Sequence, residues 1–161
     1  MQTVSIFLDV QNIYYTTKQR YQKHFDYNKF WAQATAGRKV VRAHAYAIGR
    51  GDEKQKQFQN ILRAIGFEIK LKPFIQRSDG SAKGDWDVGL TVDAIKTAPR
   101  LDTIVIVSGD GDFIPLVQYL QTMTQVEVMS FGKSTSSKLR EIADDFVDMS
   151  ENPKKYLIGN R

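Results

Sequence analysis

Thr103-Ile-Val-Ile-Val107 is an unbroken run of β-branched residues. A strand with one wet face alternates apolar and polar residues. One that does not alternate is covered on both faces, as in a parallel sheet. The run ends in Ser108-Gly-Asp-Gly-Asp112. Two carboxylates therefore stand at the carboxyl end of a buried strand, where open α/β sheets place their chemistry. Gly109 and Gly111 are expected to let the backbone turn sharply there.

The rest of the chain reads as strands alternating with helices. A first strand over 4–8 ends in Asp9-Val-Gln-Asn12. Helices follow over 13–21 and 27–34, the second capped by Asp26. A strand over 40–48 has Val41, Ala43, Ala45 and Ala47 on one face. Val40, Arg42, His44, Tyr46 and Ile48 lie on the other. Asp52 begins a helix to residue 65, and Gly66 ends it. Residues 67–74 alternate and form a strand near a sheet edge, and 76–84 read as a polar loop. The next helix runs to residue 98, with Val88, Val92 and Ile95 at i, i+4, i+7 expected to face the core. After the central strand come a helix over 112–122, a strand over 126–131, and a helix over 138–143 capped by Ser136 or Ser137. A short strand at 146–147 is the last. Residues 1–150 form the domain, and 151–161 are expected to be a loosely held polar tail. This order implies a parallel sheet with helices on both faces and right-handed crossovers.

With 161 residues, 42% of them hydrophobic, the chain is long enough for one domain with a real core. The absence of cysteine excludes disulfides, thiolate metal sites and a cysteine nucleophile. No signal peptide is apparent, and no apolar run approaches the ~20 residues of a membrane span, so a cytoplasmic protein is expected. The net charge of +5 is a moderate bias towards polyanions.

Topology then gathers the acids. If the first and fourth strands are neighbours, Asp9 meets Asp110 and Asp112 at one crevice. Asp87 opens the helix feeding the fourth strand, so it lies at the same edge. Four carboxylates at contact distance need a counter-charge. All-oxygen ligands point to Mg²⁺ or Mn²⁺ and away from Zn²⁺. Each acid also has a capping or turn role open to it. Asn12 is either a cap or a polar group near a phosphate. Asp93 is either an accessory acid or a partner of Lys96. Ser108 can bond a phosphate or a ligand water. Asp85 and Asp87 divide capping and metal roles between them, and Trp86 beside them is packing. Among basic residues near the crevice, Lys83, Lys133 and Arg50 are the candidates to hold a nucleic acid.

Other motifs fail. Gly109-x-Gly111 lacks the third dinucleotide-binding glycine, since Ile114 stands there. Gly132-Lys-Ser134 lacks the earlier P-loop glycine, where the residue is Glu127.

Phe7-Leu-Asp-Val-Gln-Asn12, Lys83-Gly-Asp-Trp-Asp-Val-Gly-Leu-Thr-Val-Asp93 and Val107-Ser-Gly-Asp-Gly-Asp-Phe113 occur in that order. Together they resemble the NYN domain of the LabA/DUF88 family, within the PIN-like nuclease superfamily. The resemblance spans nearly the whole chain. It implies an α/β fold: a three-layer α/β/α sandwich with a mainly parallel five- or six-stranded sheet of Rossmann-like topology. It also implies an acidic pocket for Mg²⁺ or Mn²⁺ and metal-dependent cleavage of RNA. Asp9, Asp87, Asp110 and Asp112 are then the catalytic and metal-binding acids, with Asn12, Asp93 and Ser108 as companions. RNA is the expected partner, no membrane is involved, and a homodimer is left open. A non-catalytic module binding RNA, metal or a regulatory protein is the alternative. A phosphoaspartate phosphatase is disfavoured because Gln11 stands where it needs a second Asp.

Overall fold

The computed structural model describes residues 1–49, 51–73, 75–76, 82–83 and 87–159, with only the backbone of 73, 75, 76, 82 and 83. Six strands form the central sheet: β1 (Gln2–Asp9), β2 (Arg38–Gly49), β3 (Glu68–Pro73), β4 (Thr103–Val107), β5 (Gln125–Ser130) and β6 (Asp145–Asp148). Every pairing is parallel, in the order β3-β2-β1-β4-β5-β6. The order reverses between β1 and β4, which are hydrogen-bonded neighbours with Leu8 opposite Val107. The crevice outside such a switch point is where doubly wound sheets bind ligands.

Helices cover both faces, as the non-alternating central run requires. On one side lie α1 (Val10–Thr16), α2 (Tyr27–Thr35) and α3 (Glu53–Ile65); on the other lie α4 (Asp87–Thr97), α5 (Ile114–Leu120) and α6 (Ser137–Ile142). Ile6, Leu8, Val105 and Val107 pack with Val10, Ile13, Phe30 and Leu62. Phe7, Ile104 and Ile106 pack with Leu90, Ala94, Leu116 and Val117. Each fully buried side chain of this size contributes about 1.5–3 kcal/mol. Asp26 and Asp52 cap α2 and α3 through Lys29 and Gln55 amides at 3.0 and 2.8 Å, and Ser136 caps α6. No helix among the described residues is long and apolar enough to cross a membrane.

Four expectations need correcting. Val88 and Val92 do not face the core: Val88 is 74% exposed, and Leu90, Ala94 and Ala98 make the contact. Alpha4 carries two apolar stripes, and periodicity alone cannot choose between them. Val88→Ser is therefore expected to change stability by less than about 0.5 kcal/mol in urea denaturation. The face assignment in β2 also fails at its start. Val4 pairs with Val40 but Ser5 with Arg42, so Val41 is an inserted bulge residue. The bulge reverses the alternation: Val40 joins Ala43, Ala45 and Ala47, and Val41 is exposed. The chain does turn after β4, through the 3₁₀ turn Gly111–Phe113, but not by left-handed glycines: neither Gly109 nor Gly111 has positive φ. Residues 151–159 are held, with Tyr156 and Leu157 buried and Leu157–Ile158 paired antiparallel with His24–Phe25. Most of the loop expected over 76–84 lies outside the described residues, as do Arg50, Asp85 and Trp86. Within that loop, the Ile75–Gln76 and Ala82–Lys83 backbones pair antiparallel.

Candidate metal centre

A cleft of about 540 Å³ opens at the β1/β4 switch point. Asp9, Asn12, Asp87, Asp110 and Ser134 are among the residues lining it. Asp87, Asp110 and Asp112 each offer a carboxylate oxygen, and these oxygens lie within 4.8 Å of one another. Alpha4 begins at Asp87, so its N-terminus delivers that acid, while the turn after β4 delivers the other two. Oxygens on opposite sides of one Mg²⁺ stand roughly 4.2 Å apart, from its ~2.1 Å bonds. Three oxygens this close can be drawn onto a single hard cation by side-chain rotation.

Local bonding fixes these groups. Asp110 Oδ1 accepts from the Asp112 amide at 2.9 Å and starts the short 3₁₀ turn Gly111–Phe113. The same residue therefore caps and clusters. The buried Ser108 hydroxyl donates to Asp9 Oδ2 at 3.0 Å and accepts from the Asp110 amide at 3.2 Å. Asp9 Oδ1 accepts from the Asn12 amide at 3.3 Å, capping α1, and Asn12 Oδ1 accepts from the Gly109 amide at 3.0 Å. The β1 and β4 ends are thereby stitched together. Asp9 lines the cleft but is not one of the three clustered acids.

The glycines act by close approach. A Cβ on Gly109 would lie 2.7 Å from the Ser134 carbonyl oxygen and 3.1 Å from Thr135 Cα. On Gly111 it would lie 3.1 Å from Ser136 Oγ. The segment after β5 packs on the turn, and the Ser136 amide donates to the Gly109 carbonyl at 3.0 Å. Lys133 is exposed on this segment, next to Ser134 of the cleft wall.

Asp93 lies away from the trio. It accepts from the Tyr46 hydroxyl at 2.7 Å and stands 3.6 Å from His44 Nδ1. Burial pushes the His44 pKa down, against the opposing pull of Glu68 and Asp93, and the net shift is downward. A depressed histidine binds its proton less well folded than unfolded. Its contribution to stability is then complete above the unfolded pKa of 6.5 and is lost as pH falls below it. Urea midpoints from pH 7.5 to 5 are expected to fall more steeply for the wild type than for His44→Gln. Parallel curves would contradict the assignment.

The sequence reading named Asn12 but missed the rest of the wall formed by α1 and the π-helical segment Thr17–Tyr21 that continues it. Gln11, Asn12, Tyr15, Thr16, Gln19 and Arg20 line the cleft in pairs spaced by four. That spacing, counted from the end of β1, was the available signal.

A family model described as the NYN domain matches residues 3–151. The sequence is 27% identical over 158 residues to the Low amplitude and bright protein LabA of Synechococcus elongatus, covering 92% of this chain and 84% of that one. A crystal structure of a protein of unknown function from Vibrio parahaemolyticus is 50% identical with a TM-score of 0.90. The match covers 98% of this chain and 96% of that one.

Proposed function

We propose, from the premise that this chain belongs to the NYN domain family, that it is a metal-dependent endoribonuclease. That family is PIN-like, and nucleases of this kind work through clustered acids. The observation that carries the reading is the Asp87, Asp110 and Asp112 cluster at the switch point of the sheet. Three carboxylates so close repel one another unless a cation sits between them. Asp87, Asp110 and Asp112 would hold Mg²⁺ or Mn²⁺ directly. The ion would supply an activated water and neutralise charge on the phosphodiester and its leaving oxygen.

The chain's own residues do the positioning. Ser108 and Asn12 hold Asp9 against the β4 turn. Asp9 lines the same cleft, and we assign it to accept a hydrogen bond from the attacking water. Lys133 would steer the backbone, as phosphate contacts position without reading sequence. Lys83 and Arg50 stay candidates for the same task. Asp93, outside the cleft lining, fixes α4 against β2 through Tyr46, which is a structural role.

The test is cleavage of mixed RNA with Mn²⁺ or Mg²⁺. The wild type should cleave, and excess EDTA or Asp110→Asn should stop it. Equal cleavage with and without EDTA would rule the reading out. RNA binding without cleavage would leave a binding module in its place.

A further inference from the structure

We infer that the α1 wall of the cleft is a nucleotide subsite, where Tyr15 stacks on an unpaired base and Arg20 holds a flanking phosphate. The inference rests on the nuclease reading and deepens it by naming the form of substrate. Cleft residues on α1 recur every four positions from Asn12 to Arg20. A plain α-helix would drift about 40° per such step. Here α1 continues as a π-helical segment over Thr17–Tyr21. Its wider turns wind more slowly and return Gln19 and Arg20 to the face of Tyr15. Such segments are frequent at functional sites.

The chemistry of this wall complements that of the acids. Tyr15 is 43% exposed and lines the cleft with Asp87 and Asp110. Its ring meets Tyr14 edge to face at 5.6 Å. Arg20 donates one N–H to the Lys133 carbonyl at 3.0 Å, which ties the end of α1 to the segment after β5. A guanidinium has five such donors in a planar fork suited to phosphate. A polyanion entering beside three carboxylates needs a cation on the opposing side, and Arg20 brings one into the cleft lining. A paired base already has neighbours on both faces, whereas an unpaired one can be splayed onto an aromatic ring. The subsite therefore selects a single strand.

The test is fluorescence anisotropy with a labelled single-stranded oligoribonucleotide and a hairpin duplex of the same composition. Every protein carries Asp110→Asn, so that binding is read without cleavage. Tyr15→Ala should weaken single-strand binding by about 10-fold or more, the worth of one stacked base. Arg20→Ala should weaken it comparably and reduce its salt dependence. Tyr15→Phe keeps the ring and should bind as the parent does. Tyr119→Ala is the control: it is an exposed tyrosine on α5 that lies outside the cleft. It should leave affinity unchanged. The duplex should bind more weakly and ignore Tyr15. Equal binding by the parent and Tyr15→Ala, or equal losses from Tyr119→Ala and Tyr15→Ala, would overturn the subsite alone. A parent that binds no oligoribonucleotide would overturn the nuclease reading as well.

Discussion

Asp110→Asn is expected to lower metal-dependent RNA cleavage by on the order of 10³-fold, about 4 kcal/mol of barrier. Removing a partner one shell out from a metal typically costs roughly 10–100-fold, and a direct ligand should cost more. Asn has the shape of Asp, and its amide oxygen can still accept from the Asp112 amide, so the 3₁₀ turn should persist. What is lost is one negative charge from a cluster whose oxygens lie within 4.8 Å. Without metal the variant should melt at or slightly above the wild-type temperature, because a like-charge repulsion has gone. Activity and stability should therefore move apart. Cleavage rates on one RNA at saturating Mn²⁺, beside melts in EDTA, measure both. Activity within tenfold of wild type would place the chemistry elsewhere.

Gly109→Ala should destabilise the fold by about 3 kcal/mol, at the upper end of overpacking costs. For a chain of this length that is roughly 6–12 °C in melting temperature. The added methyl meets backbone on the facing segment, the Ser134 carbonyl at 2.7 Å and Thr135 Cα at 3.1 Å, with Ser130 Oγ at 3.0 Å. Backbone cannot rotate aside as a side chain can. Moving it would disturb the Ser136–Gly109 hydrogen bond and the amide that Gly109 offers to Asn12. Asp110 is the next residue, so cleavage should fall too. Gly37→Ala isolates the other way a glycine can matter. Its φ is +71° with nothing within 4 Å of a new Cβ, so only left-handed strain of about 1–2 kcal/mol applies. A smaller loss at Gly109 than at Gly37 would refute the close-approach account.

Sequence alone revealed most of the scaffold because its signals are local. Thr103–Val107 had to be covered on both faces, and Gly66 and the capping aspartates end or start helices by rules of a few residues. The acids were legible for a topological reason: parallel strands put their carboxyl ends on one side. That Asp9 would be engaged by Ser108 and Asn12, outside the closest cluster, depended on side-chain bonds no pattern encodes. The failures share a cause. The Val41 bulge, the choice of Leu90 over Val88 and the crowding at Gly109 are each set by a neighbour distant in sequence. Tyr15 and Arg20 escaped notice because an exposed tyrosine and arginine on a helix acquire meaning only beside a cleft.

The most direct measurement is Mn²⁺ binding by isothermal titration calorimetry, with electron paramagnetic resonance of the free ion as a check. The wild type should bind Mn²⁺ at a site that Asp110→Asn and Asp87→Asn each weaken by more than tenfold, while Asp93→Asn leaves it intact. No binding by the wild type, or equal binding by the wild type and Asp110→Asn, would contradict the assignment of this cluster as a metal centre.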